Sequence, residues 1–133
     1  MLKTKSVWSE IEPADGLRIL VTRFRGRRMP TDRYDVWMAS LGPSERLLRD
    51  FQGDKISWAE FRAAYKREML SDRAGESGNR TIRNNGQKFT LRLIERLARE
   101  RDVTLLCQCA EDARHCHRHL LRDLVLASAG RPR

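Results

Sequence analysis

The chain has 133 residues, is 40% hydrophobic, and carries 27 Lys and Arg against 18 Asp and Glu, a formal net charge of +9. That length suits one domain, and that apolar share supports a packed core and argues against wholesale disorder. No run of about 18 apolar residues is present to span a membrane, and the N-terminus lacks the apolar stretch of a secretory signal, so a cytoplasmic setting is expected.

The excess charge is almost all arginine, 22 Arg against 5 Lys. A guanidinium grips phosphate or carboxylate at two points, so an anionic partner is one reading. Solvated surface is the other, and net charge alone speaks for solubility and non-specific attraction, not for a reaction. Only where the arginines cluster do they point to a site.

Leu2 to Trp8 reads as a short strand, with two lysines that suit a sheet edge. The turn cluster Glu12 to Gly16 precedes Leu17 to Phe24, a largely buried strand. This runs into the basic loop Arg25-Gly26-Arg27-Arg28-Met29-Pro30, and Gly16 to Thr31 holds five arginines and no acid. Tyr34, Trp37, Met38 and Leu41 then recur at helical spacing up to the stop at Gly42-Pro43. Ser44 can cap a short helix that buries Leu47, Leu48 and Phe51. Ser57 to Glu60 has the form of a capping box, followed by Trp58, Phe61, Tyr65 and Met69 at three- and four-residue steps. All these aromatics are read as core rather than as stacking platforms.

Residues 71–87 are polar and rich in glycine, and are expected to form a mobile loop. From Lys88 to about Arg101 a helix is expected, with Phe89, Leu93, Ile94 and Leu97 on its buried face. Val103 to Cys107 is a strand, and Leu120, Leu121, Leu124 and Val125 mark a last helix, with a frayed end over 129–133. Helices alternating with strands predict an α/β fold: a small, mostly parallel sheet flanked by helices, in a single domain over 1–133.

All three cysteines and all three histidines fall between Cys107 and His119. Alternation along a strand puts Cys107 and Cys109 on one side, near the carboxyl end where open α/β sheets bind ligands. Cys116-His117-Arg118 then begins the last helix, whose free amides and dipole favour an anion. A cationic Arg118 in that first turn makes sense if an anion sits between guanidinium and amides, or if it pairs with Glu111, Asp112 or Asp123. Cys116 shares the positive environment, which favours a thiolate, and His117 is suited to carry protons near neutral pH. Against these stands the plainer reading of Cys107, Cys109 and Cys116 as buried structural residues, with His115 and His119 on the surface.

Zinc is possible but disfavoured, because sites usually pair cysteines as C-x2-C, whereas residues two apart on a strand are about 6.5 Å apart at Cα. A phosphotyrosine-phosphatase loop needs C-x5-R, and Cys109 to Arg114 is one residue short.

The blocks Asp15 to Phe24, Trp37 to Ser44 with Leu47 and Phe51, and Trp58, Phe61 and Tyr65 occur in that order. They are followed by Leu105-Leu106-Cys107-Gln108-Cys109 and Cys116-His117-Arg118. Together they resemble the bacterial and archaeal domain of unknown function 488 family, from about Val7 to Ala127. Two positions depart from the family pattern: Thr22 stands where an Asp is usual, and Arg25-Gly26-Arg27-Arg28 replaces a Trp-Pro-Arg-Gly continuation. The resemblance implies an α/β fold and singles out Arg23, Cys107, Cys116, His117 and Arg118 as one site, without naming a substrate.

The leading expectation is therefore an anion-binding pocket for a nucleotide or nucleic-acid phosphate. Arg23, Arg25, Arg27 and Arg118 would hold the anion, Cys107 and Cys109 would line the pocket, and Cys116 and His117 would be the candidates for chemistry. No cofactor and no membrane partner are expected. Two other classes compete: a non-catalytic nucleic-acid-binding module working through Arg25, Arg27 and Arg28, and a cysteine-based enzyme or redox protein.

Overall fold

A computed structural model of the chain describes residues 1–71 and 86–129. The predicted mobile loop and frayed C-terminus lie almost wholly outside these residues.

Four strands form one sheet: β1 (Leu2–Ser6), β2 (Leu17–Leu20), β3 (Val36–Trp37) and β4 (Val103–Cys107), in the spatial order β1-β4-β2-β3. Every pairing is parallel: Thr4 lies beside Leu105, Ile19 beside Leu105, and Leu20 beside Trp37. The lysine-bearing first strand is at an edge, as its composition implied. Central β4 is buried along its whole length, which explains why Val103-Thr104-Leu105-Leu106-Cys107 reads as a continuous apolar run, not an alternating one.

The helices are α1 (Glu45–Gln52), α2 (Trp58–Leu70), α3 (Lys88–Glu100) and α4 (His117–Ala127). Ser44 caps α1 by accepting from the Leu47 backbone N–H, and Ser57 with Glu60 closes the capping box of α2. One face of the sheet packs against these helices, burying Ile19, Val21, Leu105, Phe61, Tyr65, Ile94, Leu121 and others in the main core. The opposite face is covered by the chain between β2 and β3, where Val7, Leu20, Met29 and Leu106 form a smaller cluster with Tyr34.

Two expectations are corrected. The stretch from Tyr34 to Leu41 is not a helix: it passes through β3 and a short 3-10 turn at Ala39–Leu41. Val36 and Trp37 pair with β2, so the spacing that suggested a helix face came from a strand and turn in succession, and Trp37 is 42% exposed, not core. On α3 the buried positions are Leu91, Ile94 and Glu95, while Phe89 and Leu93 are exposed. Apolar residues occupy more than one side of that helix, and packing against α4 selects the side that is buried. The two early strands are also shorter than their apolar runs, because the chain after Ser6 and after Leu20 turns into loops that build the site.

Candidate functional site

In a parallel sheet the carboxyl ends of all strands share one edge, and here that edge gathers the chemistry. β4 ends at Cys107, so Cys109 is not held at the next alternation along a strand. Instead the chain curls back, and the Cys109 backbone N–H donates to Cys107 Sγ at 3.3 Å. The start of α4 brings the third sulfur in: Cys107 and Cys116 Sγ are 2.8 Å apart. The sulfurs of Cys107, Cys109 and Cys116 all lie within 4.8 Å of one another. Cys107 and Cys116 are buried and Cys109 is exposed; none is in a disulfide.

Three thiols this close share their protons. Deprotonation of Cys109 is favoured because the neighbouring Cys107 and Cys116 thiols stabilise its thiolate, with help from the charge of Arg118 against partial burial, so its thiol lies far below the ordinary range. The donors are correspondingly hard to ionise: hydrogen bonding to Cys109, with burial, pushes Cys107 up to about 11. Hydrogen bonds to Cys107 and Cys109, with burial, push Cys116 well above the usual value. The set as a whole holds one negative charge readily and resists a second.

Arg118 is completely buried, although it stands in the first turn of α4. Its guanidinium points to the loop after β4, donating to Cys107 Sγ (3.0 Å), Cys109 O (3.4 Å), Ala110 O (3.1 Å) and Glu111 O (2.9 Å). Glu111 adds a carboxylate oxygen 3.7 Å away. The charge that looked misplaced beside the helix dipole is thus offset by a ring of carbonyls, a sulfur and an acid from its own chain. Only Nε is left without a partner.

His117 is buried, its Nε2 donating to Val21 O at 2.7 Å. Burial lowers its pKa, so the ring is neutral near pH 7, and its edge meets Tyr65 at 5.7 Å. Of the other histidines, His115 stacks on Trp58 at 4.7 Å and His119 Nε2 lies 2.9 Å from Ala113 O.

The basic loop after β2 lies at the same edge. Arg23 donates to the carbonyls of Gly42 and Pro43, and Arg25 to that of Met29. Arg27 and Arg28 are exposed. The four arginines and three cysteines singled out by sequence are therefore brought to one end of the sheet, but Arg23, Arg25 and Arg118 each direct part of their guanidinium to backbone carbonyls.

Gln108 was not singled out. Its side chain donates to Phe24 O and Arg25 O, tying the basic loop to the cysteine loop. No local pattern in the sequence marks it; in the structure Gly26, at φ +91°, lets the loop pass so close that a Cβ there would stand 3.3 Å from the Gln108 side-chain nitrogen.

A family model described as "DUF488-N3a: Active DUF488-N3 subclade" matches residues 2–129. The chain is also 34% identical over 70 residues to the uncharacterized protein YeaO of Escherichia coli (strain K12), across 51% of this chain and 61% of that relative. The match thus spans less than two thirds of YeaO. No solved structure matches the chain significantly. The chain belongs to the domain of unknown function 488 family, in the branch described as the active N3 subclade.

Proposed function

We propose that the carboxyl edge of the sheet is a cysteine-centred active site for an anionic, phosphate-bearing substrate, with Cys109 as the nucleophile. The observation that carries this reading is the convergence of three free sulfurs of which only Cys109 is exposed. Its sulfur supplies an electron pair to an electrophilic atom of the substrate, and the leaving group departs with its bonding pair. The Cys116 thiol, within 4.8 Å, is in reach to return a proton. Cys107 and Arg118 are positioning residues: Arg118 binds the loop that presents Cys109 and hydrogen-bonds Cys107. His117, proposed from sequence as a proton carrier, is here the strut that joins α4 to the end of β2 through Val21. The arginines of the loop after β2 supply the attraction for the substrate's charge.

The test is alkylation of the folded protein by iodoacetamide at pH 6, followed residue by residue with peptide mass spectrometry. Cys109 is expected to react about ten-fold or more faster than Cys107, Cys116 or free cysteine, because the thiolate is the reacting form. Arg118→Lys, which cannot span the loop carbonyls as a planar fork does, is expected to narrow that difference. Reaction of Cys109 no faster than free cysteine overturns the reading. So does a stoichiometric zinc ion in purified protein that shields all three cysteines, since the sulfur spacing is compatible with a shared ion.

A further inference from the structure

Three free thiols within 4.8 Å of one another are close enough to react with each other as well as with a substrate. Their surroundings differ. Cys107 is held from several sides: its backbone lies in register with Ser6 of β1, and its carbonyl accepts from the Val7 N–H at 2.7 Å. Its sulfur accepts from Arg118 at 3.0 Å and from the Cys109 N–H at 3.3 Å. Cys116 is the N-cap residue of α4, yet its side chain makes no capping hydrogen bond and its backbone is extended, at φ −133° and ψ 136°. Its sulfur lies 2.8 Å from that of Cys107, buried with it. Of the three, Cys109 alone is exposed.

An exposed sulfur with buried thiols at its back is the arrangement that lets one cysteine meet an oxidant and another resolve the product. The Cys109 thiolate attacks one oxygen of a hydroperoxide, and the O–O bond breaks. The other oxygen leaves with the bonding pair and takes the Cys116 proton, becoming water or an alcohol. Cys109 is now a sulfenic acid, oxidised by two electrons while the peroxide is reduced by two. Its sulfur is neutral, so the one negative charge that the set holds passes to Cys116. The Cys116 thiolate then attacks the Cys109 sulfur; the S–S bond forms, the S–O bond breaks, and hydroxide leaves. A disulfide is about 2.05 Å long, so the two sulfurs close by less than about 3 Å. Cys107 is the poorer partner, because a bond to Cys109 would close a ring across Gln108 alone, whose side chain is tied to the Phe24 and Arg25 carbonyls. Between Cys109 and Cys116 lie the six residues of a loop, which can take up the movement.

We infer that Cys109 is a site of oxidation by hydroperoxides and Cys116 its resolving thiol, so that peroxide closes the site as a Cys109–Cys116 disulfide. The resolving thiol intercepts the sulfenic acid before a second peroxide takes it to sulfinic acid, which thiols do not reverse. Exchange with an external dithiol, itself oxidised to a disulfide, restores both thiols and the nucleophile. The inference concerns regulation of the site proposed above, and rests on that reading in taking Cys109 as the reacting sulfur, but not on the substrate.

The experiment treats the reduced protein with equimolar hydrogen peroxide, with and without dithiothreitol afterwards, and then alkylates the remaining thiols. Cleavage at Arg114 separates Cys116 from the other two, and fragmentation in the mass spectrometer shows which of Cys107 and Cys109 it is bonded to. The expected product is an intramolecular Cys109–Cys116 disulfide, with alkylation of Cys109 reduced about ten-fold or more and recovered after dithiothreitol. Cys116→Ser, checked for folding by circular dichroism, is expected to stop at a Cys109 sulfenic acid that dimedone traps. Cys107→Ser is expected to keep the disulfide. A main product that joins Cys107 to either neighbour, or a sulfinic acid at Cys109 in place of a disulfide, overturns the inference. Fast alkylation of Cys109 in untreated protein, with no Cys109–Cys116 disulfide after peroxide, overturns it and leaves the nucleophile standing. Alkylation no faster than free cysteine, again with no disulfide, removes both. Peptide mapping of the wild type decides between these outcomes whether or not a variant folds.

Discussion

At the scale of single residues, the site depends on buried polar groups finding partners from the backbone. His117 and Arg118 are adjacent and both buried, yet one stays neutral and the other charged. A neutral imidazole needs one acceptor, and Val21 O provides it; a guanidinium needs several, and the loop from Cys109 to Glu111 wraps around it to supply them. The depressed pKa of His117 has a consequence for stability. Below about pH 6.5, its ordinary value, the unfolded chain takes up a proton that the folded ring refuses until a lower pH. The unfolded state therefore binds more protons in that window, and stability falls as pH falls through it, with no contribution to the slope above it. Thermal melts from pH 7.5 to 5.5 are expected to show this loss as a steepening below about pH 6.5, on top of the slope that the Cys109 thiolate contributes across the whole range, and His117→Gln, whose amide can still donate to Val21, is expected to remove the steepening. An unchanged slope in that variant would place the sensitivity elsewhere.

At the scale of elements, the placement of β2 depends on the turn before it. Gly16 has φ +62° and ψ −132°, a backbone region essentially reserved for glycine. A Cβ there would stand 2.1 Å from the Asp102 carbonyl oxygen, which accepts from the Leu17 N–H as β2 begins beside β4. Gly16→Ala therefore combines backbone strain with overlap against fixed main chain, and is expected to cost about 3 kcal/mol or more, measured by urea unfolding. The Glu12 to Gly16 turn was legible from composition; that its glycine also sits against the start of β4 was not, because Asp102 is remote in sequence. Local signals fixed the starts of α1 and α2, where a serine meets an orphan backbone N–H of its own helix, and the length of α3. They failed from Tyr34 to Leu41, where partnership with β2 overrode local spacing, and at Phe89 and Leu93, where the buried side was set by neighbouring helices.

For the whole molecule, β4 is the organising element: it pairs with both β1 and β2, packs against the helices through Leu105, and delivers Cys107 to the site. Leu105→Ala empties space at the centre of the main core, where the side chain is fully buried, and is expected to cost about 2–5 kcal/mol in equilibrium unfolding, the range for large-to-small core changes. A loss below 1 kcal/mol would mean that the helices close over the gap. The sequence by itself determined the α/β class, the parallel sheet, the edge position of β1, and the clustering of cysteines, histidines and basic loop toward one end. Those follow from hydrophobic period, turn residues and chain proximity, which are local properties. Tertiary structure alone decided which of those residues have free chemistry. Burial keeps the Cys116 thiol protonated and the His117 ring neutral, carbonyl oxygens accept from Arg23 and Arg118, and the turn after β4 leaves Cys109 as the exposed sulfur of the three. Each outcome depends on solvent exclusion and on partners distant along the chain, which spacing cannot encode.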